Sequence, residues 1–155
     1  MPKRNKPHTP SEYGYEFSEQ VGHLLRRAYQ RHTAIFQRHA SDRQLTAIQF
    51  VTLCTLVERG ACSLTDIVQA TAIDPATVRG VIKRLKARDW IALSTCERDQ
   101  RKVMVTITKE GEDLVEEMVP AAQRISDLTM ERLNPAERVA LLHLLAKMSG
   151  APEDD

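Results

Sequence analysis

Ser63–Thr108 reads SLTDIVQATAIDPATVRGVIKRLKARDWIALSTCERDQRKVMVTIT: two short helical periodicities followed by a charged hairpin. Ser63, with Asp66 three residues on, forms a capping box, and Leu64, Ile67 and Val68 then mark one helical face. A second helix opens at Asp74-Pro75, an N-cap oxygen followed by a proline whose missing N–H costs nothing at the first helical position. Val78, Val81, Ile82 and Leu85 make its apolar face; Ala76, Gly80 and Lys83 lie opposite, flanked by Thr77, Arg79 and Arg84. Small residues on that outer face allow close approach, and the threonine and basic side chains suit base edges and phosphates. Gly80 matters because a helix-interior glycine costs roughly 1 kcal/mol relative to alanine. The bland alternative is a solvated helix with a chance glycine, and the adjoining wing argues against it. Two alternating runs, Trp90–Leu93 and Val103–Ile107, are the expected strands of a two-stranded wing around the polar TCERDQR.

The run DPATVRGVIKRLKARDWI, followed by ERDQRKVMVTITKEG, resembles the winged helix-turn-helix core of the multiple antibiotic resistance regulator (MarR) family. The similarity extends from about residue 18 to 149. It implies a recognition helix at Asp74–Ala87, a wing tip at Asp99, Gln100 and Arg101, and a closing motif of Ile107, Thr108 and Gly111. Gln100 departs from the Asp-Arg-Arg pattern of the tip, and Arg98 can substitute. The resemblance also implies that the Asp99 carboxylate holds the Arg101 guanidinium for a phosphate or the minor groove. The candidate DNA-contacting set is Ser63, Thr65, Asp74, Ala76, Thr77, Arg79, Gly80, Lys83, Arg84, Arg98, Asp99, Gln100 and Arg101.

Outside this segment, helices dominate. A stripe of Val21, Leu24, Leu25, Ala28, His32, Ile35, Phe36 and His39 predicts an amphipathic helix from about Glu16 to Arg38. A helix from Thr46, with Gln49 in capping-box register, runs to Arg59 and stops at Gly60. Its Ile48, Phe50, Leu53, Cys54, Leu56 and Val57 predict a strut buried nearly all round. Lys109–Leu133 reads as a long helix in which Pro120 should make a kink or break. Asn134-Pro135-Ala136-Glu137 starts a last helix whose Val139, Leu141, Leu142, Leu144, Leu145 and Met148 are too apolar for a free surface. Burial against a second subunit accounts for them.

The expected fold class is mainly α with a small β-wing (α+β). Residues 1–15 would be a flexible arm, or an extended one whose Tyr13 and Tyr15 cross a dimer partner. Residues 16–40 and 109–149 would form the dimerisation region, 41–108 the winged helix-turn-helix domain, and 150–155 an acidic tail.

Net charge is only +1 over 155 residues. Its distribution is uneven, however: residues 74–102 carry eight Lys/Arg against four Asp/Glu, and residues from 109 onward carry five against eleven. A basic head on an acidic body confines the attraction to a duplex backbone. No apolar run approaches the length of a bilayer span, and no signal-peptide core follows the start, which points to a cytoplasmic protein. Cys54, Cys62 and Cys96 show no Cys-x-x-Cys spacing, so no zinc site is expected. No phosphate loop or nucleophile elbow is present either, which argues against an enzyme and against a cofactor.

By resemblance the chain is a homodimeric transcriptional regulator, a repressor on a pseudo-palindromic operator. A small effector, an aromatic acid such as a hydroxybenzoate or hydroxynicotinate, would release it. Candidate effector contacts are Tyr29, His32, Phe36, His39, Phe50 and Cys54. A histidine on an apolar helix face is otherwise usually a hydrogen-bonded core residue, and Phe50 and Cys54 otherwise plain core. Two other functions stay open: a thiol-based oxidant sensor, and a winged-helix protein-interaction module that does not read DNA.

Overall fold

The computed structural model describes residues 8–150; the first seven residues of the expected arm and all of the expected tail beyond Gly150 lie outside the described residues. From Thr9 onward the arm is folded. The Thr9 backbone N–H donates to Glu12 Oε2 at 2.9 Å, and a 3-10 turn at Pro10–Tyr13 closes on Gly14 at φ 70°. A second 3-10 turn spans Phe17–Glu19. The first α-helix, α1, therefore begins at Val21, not near Glu16, and ends at His39. Gln20 causes the delay: its backbone is extended (ψ 140°), while Phe17 sets its ring edge-on to His23, 5.3 Å away.

Helix α2 spans Ala47–Arg59, with the Thr46/Gln49 capping box formed in both directions. Its buried face differs from the expected one. Gln49, Thr52 and Thr55 are buried with Phe50, Leu53 and Leu56, whereas Val51 and Val57 are exposed. The threonines enter an apolar core because each hydroxyl donates to a carbonyl one turn back, Thr52 to Ile48 and Thr55 to Val51.

Helices α3 (Leu64–Thr71) and α4 (Pro75–Ala87) pack together through Ile67, Val78, Val81 and Leu85. The turn between them carries Ala72 in the left-handed region at φ 53°. Three strands form the sheet where two were expected. Strand β1 (Cys62–Ser63) pairs antiparallel with β3 (Val103–Ile107), which also pairs with β2 (Ile91–Thr95). Along the hairpin, Ile91 is buried and Leu93 exposed, and Val105 is buried and Val103 exposed. The alternation thus holds at the base, and burial fades toward the tip because the wing projects beyond the core.

Helix α5 (Lys109–Thr129) begins where the hairpin ends. Thr108 fixes that junction: its hydroxyl donates to the Asp89 carbonyl at 2.7 Å and accepts from the Gly111 N–H at 3.2 Å. A Cβ on Gly111 would stand 2.2 Å from the Trp90 carbonyl oxygen, so only glycine lets α5 approach the sheet this closely. The helix runs on through Pro120, so of the expected kink or break the break does not occur. Pro120 and Glu116 are both exposed, so water can satisfy the carbonyl that the proline leaves without a donor. Val115, Met118 and Ile125 of α5 join Phe36 and Phe50 in the core.

The last helix, α6 (Pro135–Ser149), starts at the Asn134/Glu137 capping box and buries none of its residues. Val139, Leu142, Leu144 and Met148 are exposed, as are Val21, Leu24 and Leu25 of α1. Among the described residues no helix is long and apolar enough to cross a membrane.

Candidate functional site

Helix α4 presents two faces of opposite character. Val78, Val81, Ile82 and Leu85 are buried; Ala76, Arg79, Lys83 and Arg84 are exposed, and Thr77 and Gly80 partly so. Asp74 caps the helix twice over. Its Oδ1 accepts from the Thr77 N–H at 2.9 Å and its Oδ2 from the Thr77 hydroxyl at 2.5 Å. Those bonds hold the Asp74 carboxyl below the usual carboxylate range, the side-chain bond contributing most. They also commit the single hydroxyl proton of Thr77, leaving its oxygen as an acceptor.

Gly80 is not demanded by the protein's own packing. A Cβ there would meet only the end of the flexible Arg84 side chain, at 3.4 Å. The glycine therefore leaves the helix backbone open at a point where the fold would accept a side chain.

Ser63 and Thr65 stand at the start of α3. Ser63 is engaged with its capping partner: its N–H and its hydroxyl both donate to Asp66 Oδ2, at 2.8 and 2.7 Å. Thr65 is exposed and shares an apolar groove of about 230 Å³ with Leu64, Val68, Pro75, Val78 and Arg79.

At the wing tip Arg98, Asp99, Gln100 and Arg101 are all exposed. Asp99 acts otherwise than expected. Its Oδ1 accepts from the Arg101 backbone N–H at 3.0 Å, and among the described residues neither Arg98 nor Arg101 has an ion-pair partner. The carboxylate shapes the turn and leaves the guanidinium unclamped, because a short side chain meets a backbone N–H two residues on first.

Arg88 is a residue the sequence reading missed. Its guanidinium lies 4.0 Å from the centre of the Trp90 ring and donates to Gln44 Oε1 at 2.8 Å and Asp42 Oδ2 at 2.6 Å. Burial pushes the Asp42 carboxyl up, but the Gln44 backbone N–H and Arg88 together outweigh it and hold the group low. This clamp ties the loop after α1 to the end of α4. Its partners are more than forty residues apart, and no local pattern signals it.

A second feature is a cleft of about 160 Å³ among α1, α2 and α5. His32 and Phe36 come from α1, Ala47, Phe50 and Val51 from α2, and Ala122, Ile125 and Ser126 from α5. The Phe36 and Phe50 rings stand 6.1 Å apart. His32 Nδ1 lies 3.0 Å from Thr129 Oγ1, and burial pushes the imidazole's pKa down. Of the six expected effector contacts, His32, Phe36 and Phe50 meet here. Tyr29 is exposed with its ring 6.3 Å from His32; His39 is exposed at the end of α1; Cys54 is half-buried against the core. The cleft's α5 side was not foreseen, since small residues such as Ala122 and Ser126 carry no signal of their own.

The three cysteines are free thiols. Burial pushes both Cys54 and Cys62 above the ordinary thiol range, with Glu58 and Asp66 respectively adding to it. A thiol that resists ionisation is a poor oxidant sensor.

A capped helix pair, a small sheet and a basic projecting hairpin define the class: a winged helix-turn-helix protein. The MarR family model matches residues 45–103. The HTH-type transcriptional repressor NicR of Pseudomonas putida is 54% identical over 140 residues, covering 90% of this chain and 89% of that protein. The chain belongs to the MarR family, whose members are transcriptional regulators. BpsR of Bordetella bronchiseptica, solved to explain the regulation of its DNA binding by 6-hydroxynicotinic acid, is 64% identical with a TM-score of 0.82, covering 88% of this chain and 98% of that one. A mutant MarR of E. coli complexed with operator DNA, 20% identical, shares the fold at a TM-score of 0.77 over 89% of this chain and 100% of that one.

Proposed function

We propose that this chain is a homodimeric repressor that sets two copies of α4 into successive major grooves of a pseudo-palindromic operator, about 34 Å apart. The observation that carries the reading is the outer face of α4, where Ala76, Gly80 and Lys83 stand clear of the protein beside a basic wing. Thr77, Arg79 and Lys83 contact base edges, and Arg84 a phosphate. Because the Thr77 proton is committed to Asp74, its oxygen suits a base amino group better than a phosphate. Arg98 and Arg101 serve the wing. The exposed apolar residues of α6 and of the first half of α1 form the dimer interface.

The effector is a small aromatic acid of the hydroxynicotinate or hydroxybenzoate type, bound in the cleft of His32, Phe36 and Phe50. An apolar cavity of about 150 Å³ holds a benzene ring, which is the scale of this cleft. Release from DNA requires that the ligand favour one spacing of the α4 helices over the other, since equal affinity shifts nothing. The identity to BpsR and NicR supports this class of ligand.

The test is fluorescence anisotropy of the purified chain on its own upstream region, repeated across salt concentrations and with added 6-hydroxynicotinic acid. A steep salt slope and ligand-induced release are expected. Equal, weak binding to unrelated duplex at every salt concentration would refute the operator reading.

A further inference from the structure

The cleft among α1, α2 and α5 fixes a proton as well as a shape. Thr129 Oγ1 lies 2.7 Å from the Ile125 carbonyl oxygen and 3.0 Å from His32 Nδ1. A hydroxyl has one proton to give, and a carbonyl can only accept. Thr129 donates along the shorter contact, so its oxygen accepts from His32, and the hydrogen on the imidazole sits at Nδ1. Burial disfavours the charged ring and keeps the imidazole neutral. In a neutral ring protonated at Nδ1, Nε2 carries a bare lone pair. No residue among those described donates to Nε2, and the ring lines the cleft.

We propose that His32 is a specificity-determining hydrogen-bond acceptor: within the effector class above, it selects planar ligands that present an O–H or a ring N–H to Nε2 and rejects the same ring without one. The proposal rests on the effector reading of this cleft and deepens it. The side chains of Phe36, Phe50, Ala122 and Ile125 offer only carbon, and the Ser126 hydroxyl can donate or accept, so none of them favours a ligand donor as a bare imidazole nitrogen does. A ligand with no donor desolvates Nε2 and returns nothing, which is how a polar site rejects a nearly isosteric analogue. A 6-hydroxypyridine satisfies the requirement in either tautomer, through its hydroxyl or through the ring N–H of the pyridone form.

The experiment pairs acids that differ only in the donor: 6-hydroxynicotinate against nicotinate, and 4-hydroxybenzoate against benzoate, titrated calorimetrically into the full chain. In the wild type each unsubstituted acid should bind at least about tenfold more weakly than its partner. In His32→Phe both ratios should collapse to within about threefold, since the acceptor is gone while a flat apolar ring remains. Nitrogen-15 NMR of the imidazoles gives an arm that needs no ligand and no variant. It should find His32 protonated at Nδ1 and bare at Nε2 in the free protein. A proton on Nε2, or hydroxy and unsubstituted acids that bind alike to the wild type, overturns the acceptor assignment while leaving the effector reading intact. If none of the four acids binds, the effector reading falls, and this assignment with it.

Discussion

The winged core and the terminal helices use the same aliphatic side chains, and only the core covers them within one chain. Leu85 of α4 is 0% exposed, whereas Leu142 of α6 is 56% exposed. Each core element has one apolar face and a neighbour to receive it: α3 packs on α4 and on α2, and β3 lies between β1 and β2. Helix α6 is apolar around much of its circumference and buries no residue. One neighbour covers one stripe, so a helix of that kind keeps apolar surface that its own chain leaves uncovered. The contrast is between a reading head complete in itself and arms that a second copy would complete. It breaks most visibly on paired substitutions. Leu85→Ala should cost about 3 kcal/mol of stability, through lost transfer energy and a residual cavity, measured by denaturant unfolding. Leu142→Asp should instead convert a dimer to a monomer in sedimentation equilibrium, with the core's helical signal retained. A wild type that sediments as a monomer at tens of micromolar would remove the contrast.

The two regions meet at the Thr108–Gly111 junction, and the next largest effect lies there. Gly111→Ala drives a methyl into the Trp90 carbonyl and into Ile107, whose Cγ1 would be 2.7 Å away. Backbone cannot swing aside as a side chain can, so a loss of about 2 kcal/mol or more is expected in thermal unfolding. A variant as stable as the wild type would show that α5 can shift relative to the sheet at little cost.

Legibility divides along the same line. Capping boxes and helical periodicity are local, and they placed α2, α3, α4 and α6 at or next to their true starts: Thr46/Gln49, Ser63/Asp66 and Asn134/Glu137 all form as read. Strand β1 escaped because two residues have no period, and Cys62-Ser63 becomes a strand only by pairing with Val105 and Met104. The start of α1 was read early, near Glu16, because nothing local marks the extended Gln20 as the helix boundary. The Arg88 clamp and the α5 wall of the cleft join residues far apart in sequence. Asp99 was misread for a different reason: spacing cannot say whether a carboxylate two residues away reaches a guanidinium or the backbone N–H beneath it.

Two substitutions on the face proposed to meet DNA sharpen the claim that the head's outer face serves a partner and not the fold. Arg101→Ala should weaken operator and unrelated duplex alike and lower the slope of log K against log salt by about 1. An unchanged slope would assign Arg101 no phosphate. Gly80→Ala should act with opposite signs on two readouts. Stability should rise by up to about 1 kcal/mol from helix propensity, because only the tip of Arg84 must move. Operator affinity should fall, because the methyl occupies the space left for the groove wall. A stabilised variant with undiminished affinity would mean that α4 never comes that close to DNA.

The smallest effect concerns His32, at the joint between head and arms. Its folded pKa is pushed below the ordinary histidine value of about 6.5 by burial. The unfolded chain therefore takes up a proton first as pH falls. Stability decreases with falling pH across the window from about 6.5 down to the depressed folded value, and the contribution levels off once both states are protonated. His32 is only partly buried, so the slope is shallow. His32→Phe removes this titration and leaves the other histidines in place. Subtracting its denaturant midpoints from those of the wild type between pH 8 and pH 5 isolates the group. The difference should favour the wild type more at high pH than at low pH. A difference that stays constant, or that grows as pH falls, would mean the folded ring accepts a proton as readily as the unfolded one, and burial would then add nothing to the ordinary preference for the neutral ring above its pKa.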